Sequence, residues 1–168
     1  MIKIEIKEIS GYADKNLETL NESLKLVEKV INTEAFKDKV LNFTMPNGKV
    51  TFFYRPWHKK YSNAEVLDLI YSASEEYDGG QKGVIDLYLH LEPGGDGSVV
   101  GYGNEGDKWI NTYETPFAGM SRPEIAGHIF HEWLHKIGFV HDFYDVPKRR
   151  YSVPYAVGEI MEQLAGHS

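Results

Sequence analysis

Residues 131–141 read His-Glu-Trp-Leu-His-Lys-Ile-Gly-Phe-Val-His, and Asp142 follows. Two histidines four apart on a helix project from one face, so the imidazoles of His131 and His135 can reach one metal ion. Glu132 then faces the water that such an ion would bind, as a general base must. Gly138 can end the helix in a left-handed conformation and turn the chain back, bringing His141 round as a third ligand. Three neutral imidazoles would leave a zinc ion its full charge and one open position, which suits a hydrolytic site.

The helix that must hold these residues opens at Ser121-Arg122-Pro123-Glu124, where an N-cap, an early proline and a capping box coincide. Stepped at ~100° per residue, Ile125, Ala126, Ile129, Phe130, Trp133, Leu134 and Ile137 fill one arc and should face the core. Glu124, Gly127, His128, His131, Glu132, His135 and Gly138 fill the other. A merely solvated face would carry Lys, Gln, Ser and more Glu; here Lys136 is the only lysine in the segment. His128 shares the ligand stripe but lies about 10 Å of helix rise from His135. Zn–N bonds of about 2 Å forbid those two from sharing an ion, so His128 reads as a neighbour of the ligands or as simply exposed. Gly127 leaves room for a neighbouring strand or a substrate, or serves packing.

Rivals to His141 exist. Glu159 stands 24 residues after His135 in a helix expected over 154–164, and Glu162 is a weaker version of the same idea. Asp142 either orients a ligand histidine or caps a turn. His58, His90 and His167 match no ligand spacing and read as structural or exposed.

The chain has 168 residues, a net charge of −7 and no cysteine. That length suits one domain, 1–168, with a sizeable core. The acidic balance argues against nucleic-acid or anionic-membrane partners, and thiolate metal sites and disulfides are excluded. Charges at every other position from Lys3 to Glu8 deny the start the apolar core of a signal peptide, and no run approaches a membrane span. The expectation is a soluble chain, cytoplasmic or exported by a non-classical route.

Taken in order, Ile2, Ile4 and Ile6 alternate with Lys3, Glu5 and Lys7 as a half-buried strand over 2–9. A helix follows to about Asn32, with Leu17, Leu20, Leu24, Val27 and Ile31 on one face. Met45–Gly48 reads as a turn and 50–55 as a second strand. Ser62 with Glu65 caps a helix expected to reach Tyr77, where Asp78-Gly79-Gly80 stops it. Residues 84–91 form a strand with Ile85, Leu87, Leu89 and Leu91 on one face. The glycine-rich stretch 93–106 reads as an exposed loop with a short strand near 99–102. Asp96, Asn104, Glu105 and Asp107 within it offer a calcium loop that matches no EF-hand spacing. Residues 109–115 follow as a strand beside the site. The fold class expected is α+β, a mixed twisted sheet with an active-site helix and a C-terminal helix.

The run His131-Glu132-x-x-His135-x-x-Gly138-x-x-His141-Asp142 resembles the extended zinc motif of the metzincin metallopeptidases. The order of elements upstream is similar to that family's, while residues 1–45 read as an added strand and helix. The resemblance implies Zn²⁺ on His131, His135 and His141, Glu132 as general base, and a peptide or protein substrate. It also implies that the 109–115 strand hydrogen-bonds an extended peptide. Metzincins carry a methionine-bearing turn beneath the metal; here Tyr151-Ser152-Val153-Pro154-Tyr155 stands in its place, with proline at the methionine position. Met161 comes later and reads as core. Tyr155, or less readily Tyr151, could donate to an oxyanion, or Tyr155 could be a packed aromatic. The activity implied is zinc-dependent endopeptidase; a non-catalytic zinc-stabilised binding or structural protein is the alternative.

Overall fold

The alternating isoleucines of the first strand do not produce a half-buried strand. β1 (Lys3–Ser10) lies at the edge of the sheet; Ile2 before it is 2% exposed, but Ile6 and Ile9 are 37% and 39% exposed. The register shift between Ile6 and Glu8 keeps isoleucine opposite buried leucine, Ile6 against Leu87 and Ile9 against Leu89, so the exposure of both comes from the position of β1 at the edge of the sheet. The computed structural model describes residues 1–73, 81–103 and 106–168.

β1 pairs in parallel with β2 (Val84–Glu92), and β2 in parallel with β4 (Trp109–Tyr113). The short β3 (Gly101–Gly103) runs antiparallel to β4 and closes the other edge, giving the order β1-β2-β4-β3. β2 is paired on both flanks and alternates along its length, with Ile85, Leu87, Leu89 and Leu91 buried on one face and Asp86, Tyr88 and His90 on the other. This corrects the role expected of residues 109–115. That strand is paired on both sides and has no free edge, it stops at Tyr113, and Glu114–Gly119 form a short helix, α4.

Helix α1 (Asp14–Ile31) buries Leu20, Leu24, Val27 and Ile31, as its periodicity predicts. A second helix, α2 (Glu34–Leu41), follows where none was expected; Thr33 caps it by accepting from the Phe36 N–H at 3.2 Å. Residues 50–55 are not a strand. Phe53 N–H donates to the Tyr151 carbonyl at 2.8 Å and Arg55 pairs with Asp142, so the segment braces the chain beyond the metal motif instead of joining the sheet. α3 (Asn63–Ser72) opens at the Ser62–Glu65 capping box and ends at Ala73, φ 47°. The expected last turn to Tyr77 and the Asp78-Gly79-Gly80 stop fall outside the described residues, as do Asn104 and Glu105 of the calcium-loop reading. Asp96 in that loop accepts from Ser98 N–H and Oγ, closing its own turn.

The site helix α5 (Arg122–Lys136) and the last helix α6 (Val153–Ala165) cross with almost no side chain between them. A Cβ added at Gly127 would stand 2.9 Å from the Gly158 carbonyl and 2.8 Å from Glu162 Cβ. Gly127 therefore serves helix packing, against α6 and not against a strand. One buried cluster runs from Ile2 to Ala165 and takes in side chains of α1 and α2, with the partly buried Ile4 of β1 packed against it. No helix among the described residues is long and apolar enough to cross a membrane.

Candidate metal centre

Every apolar residue assigned to the core arc of α5 is buried, from Ile125 to Ile137, so the opposite stripe is fixed in direction. At the C-terminus of α5, Gly138 adopts φ 96°, a region closed to most side chains. Its N–H donates to the His135 carbonyl at 3.1 Å and that of Phe139 to the Leu134 carbonyl at 3.1 Å. This paired pattern, with Leu134 and Phe139 both buried, is a Schellman turn. The turn sends the chain back across the helix end and delivers His141.

The three histidines meet. Nitrogens of His131, His135 and His141 lie within 4.8 Å of one another, the one such cluster of histidine and carboxylate groups among the described residues. Two rings are oriented by backbone: His135 Nδ1 lies 2.7 Å from the Phe139 carbonyl and His141 Nδ1 2.8 Å from the Asp142 carbonyl. A carbonyl only accepts, so each Nδ1 carries the proton and each Nε2 keeps a free lone pair for a metal. Asp142 orients its neighbour through its main chain; its carboxylate instead pairs with Arg55 at 2.9 Å. Glu159 is exposed, accepts from Gln163 Nε2 and stands outside the cluster, and Glu162 is likewise exposed. His58, His90 and His167 lie apart from it; His167 Nδ1 pairs with the Gln163 carbonyl.

Burial keeps the ligand set neutral. His131 is held well below the ordinary 6.5, first by desolvation and then by His135 and His141. Desolvation likewise brings His135 down to about 4 and lowers His141. Glu132, 7% exposed, is pushed up to about 7 by desolvation, against a hydrogen bond from the Gly103 N–H. The donor set fits a borderline ion such as zinc: three uncharged imidazole nitrogens, no thiolate, and a carboxyl beside them that is not among the ligands.

Tyr155 joins the cluster. Its ring centroid is 4.6 Å from that of His131 and 4.7 Å from that of His141, and the Arg149 guanidinium sits 4.7 Å from the Tyr155 ring. Pro154 is buried at the start of α6, and Met161 is fully buried in the core, as expected of it. Tyr151 belongs to the short 3-10 turn Arg149–Tyr151. Arg149 was not foreseen; a Lys-Arg-Arg run carries no spacing that would single out one member. Nor were Gly101, Gly103 and Thr112, which sit against α5 only because β3 pairs with β4. His128, read as a neighbour of the ligands or as exposed, has a side chain only 7% exposed.

A cleft of about 930 Å³ opens over the centre. β3 lines one wall, the ligand stripe of α5 the floor, and residues 139–150 with α6 the other wall. Apolar side chains stand at its lining, Val99 52% and Phe143 86% exposed.

These burials carry a stability prediction for the metal-free protein. His128 and His135 have folded values near 4 against 6.5. The stability they contribute is complete above pH 6.5 and is lost on acidification, by up to about 1.4 kcal/mol per pH unit for each. Glu132 acts oppositely, because its folded value near 7 exceeds 4.5 and acid favours the fold between those limits. With His131 and His141 also depressed, the histidines outnumber the carboxyl. The thermal midpoint in chelator should therefore fall from pH 6.5 to 4; calorimetry showing a flat or rising midpoint would contradict the assignment.

No protein-family model, no curated protein and no solved structure matches the chain. What the chain's own geometry defines is an α+β protein whose three converging histidines can bind a metal ion.

Proposed function

We propose that the chain is a zinc-dependent endopeptidase of the metzincin kind. The observation that carries this reading is the convergence of three neutral imidazoles with Glu132, the buried one of the four glutamates that line their cleft (Glu124, Glu132, Glu159 and Glu162) and not a member of their cluster. A purely structural zinc site closes with a fourth protein ligand and has no use for a buried base. His131, His135 and His141 would hold the ion. When bound, zinc supplies a Lewis acid that polarises a carbonyl and makes water nucleophilic near neutral pH.

The protein's own groups do the rest. Glu132 takes a proton from the attacking water and passes it to the leaving amine. Its N–H partner Gly103 and its place on a rigid helix fix the carboxylate for that transfer. Tyr155 keeps its phenol proton at neutral pH, since burial raises its value, and donates to the oxyanion. Arg149 against its ring helps to fix the phenol. An extended peptide lies along β3, the strand that lines the cleft, in place of the 109–115 strand expected from the sequence. A cleft of this volume holds several residues of such a chain.

The test is a digest of a random peptide library by the zinc-loaded protein, with and without chelator, read by mass spectrometry. Internal cleavages that vanish with chelator and return with zinc are the expected result. A library left intact under both conditions would favour the non-catalytic, zinc-stabilised alternative.

A further inference from the structure

His128 is buried on the ligand stripe of α5, one turn before the metal ligands begin. Its Nε2 lies 3.0 Å from the hydroxyl of Thr112, itself fully buried on β4. Its Nδ1 lies 3.7 Å from Oε1 of Glu132, one turn further along the helix. β3 closes the cage: a Cβ at Gly101 would stand 3.0 Å from both Cε1 and Nε2 of the imidazole. Two residues on, a Cβ at Gly103 would stand 2.9 Å from the Glu132 carbonyl, and the Gly103 N–H donates to the Glu132 carboxylate. Strand, imidazole and carboxyl thus fix one another without any other side chain intervening.

We propose that His128 is a positioning residue for Glu132, with Nδ1–H aimed at the carboxylate and Thr112 donating its O–H to Nε2. This rests on reading Glu132 as the general base. Electrostatics selects the tautomer, because the opposite one would face a lone pair at a carboxylate across low-dielectric surroundings. Desolvation keeps the ring neutral, so it has one proton to place. At 3.7 Å the contact is longer than a hydrogen bond, and this positioning requires it to shorten in the substrate complex, as catalytic hydrogen bonds often do. With the Gly103 N–H bonded to the carboxylate and His128 closing on it, rotation of Glu132 away from the water it must deprotonate is restricted.

Two measurements test this. In the metal-free protein, long-range ¹H–¹⁵N spectra of the imidazoles should place the His128 proton on Nδ1, and Thr112→Val should weaken that preference. A proton on Nε2 in the unaltered protein overturns the proposal. In the zinc-loaded protein, His128→Leu should lower kcat by about ten- to a hundredfold with KM and zinc stoichiometry unchanged. His128→Asn, whose amide N–H₂ stands where Nδ1–H stood, should restore most of the loss. An unchanged kcat in His128→Leu, or a loss that His128→Asn does not relieve, overturns it. Failure of the unaltered protein to cleave any peptide defeats the endopeptidase reading instead, and the tautomer then decides the placement of His128 by itself.

Discussion

Glu132→Gln will bind zinc as tightly as the unaltered protein and cleave peptides about a thousandfold more slowly, the range expected when a general base is removed. The substitution is nearly isosteric, and its amide oxygen still accepts from the Gly103 N–H. Folding does not suffer, because a carboxyl that burial pushes up to about 7 gains from losing its charge. Metal affinity is untouched because Glu132 is outside the ligand cluster. Competition with a chromophoric chelator gives the zinc constant, and a quenched fluorogenic peptide gives the rate. Cleavage undiminished in the variant would remove Glu132 from the chemistry.

His141→Ala will weaken zinc binding on the order of a thousandfold, a fair share of the ~10–16 kcal/mol that complete zinc sites supply. Glu159→Ala will leave it unchanged. The contrast follows from placement: His141 is brought within 4.8 Å of the other two imidazole nitrogens, whereas Glu159 is exposed on α6 and engages Gln163. The same chelator competition measures both. Zinc lost from Glu159→Ala but kept by His141→Ala would move the third ligand to α6 and recast the 137–142 turn as structural.

Which parts of this arrangement were legible in the sequence follows from the range of the forces involved. The ligand stripe of α5 needed only local phasing, and Gly138 needed only its lack of a Cβ; both are properties of a dozen neighbouring residues. The capping boxes at Ser62 and Ser121 were legible for the same reason. Partner choice was not. The stretch 50–55 has the composition of a strand, but the Phe53 N–H is claimed by Tyr151, about a hundred residues away, and the Arg55 charge by Asp142, about ninety away. The swap of strand roles at the cleft has the same origin: only pairing reveals that the Gly-Tyr-Gly of β3 is the outer strand. The strand itself was legible, expected near 99–102 and found at Gly101–Gly103; its place outside β4 was not. α2 is a different case, since Thr33 with Phe36 and Val40 was a readable local signal.

The Schellman turn at Gly138 has a thermodynamic side. Because Gly138, Phe139 and the His135 and His141 rings are tied by the chain's own hydrogen bonds, an arriving ion has little ordering left to perform. Its binding energy goes into affinity for the folded form instead of into making that form, and occupancy is then a mass-action quantity. Free ion at a hundred times its dissociation constant raises the stability of the fold by about 2.7 kcal/mol. A melting curve read against free-ion concentration would thus report the strength of this centre in the absence of any substrate.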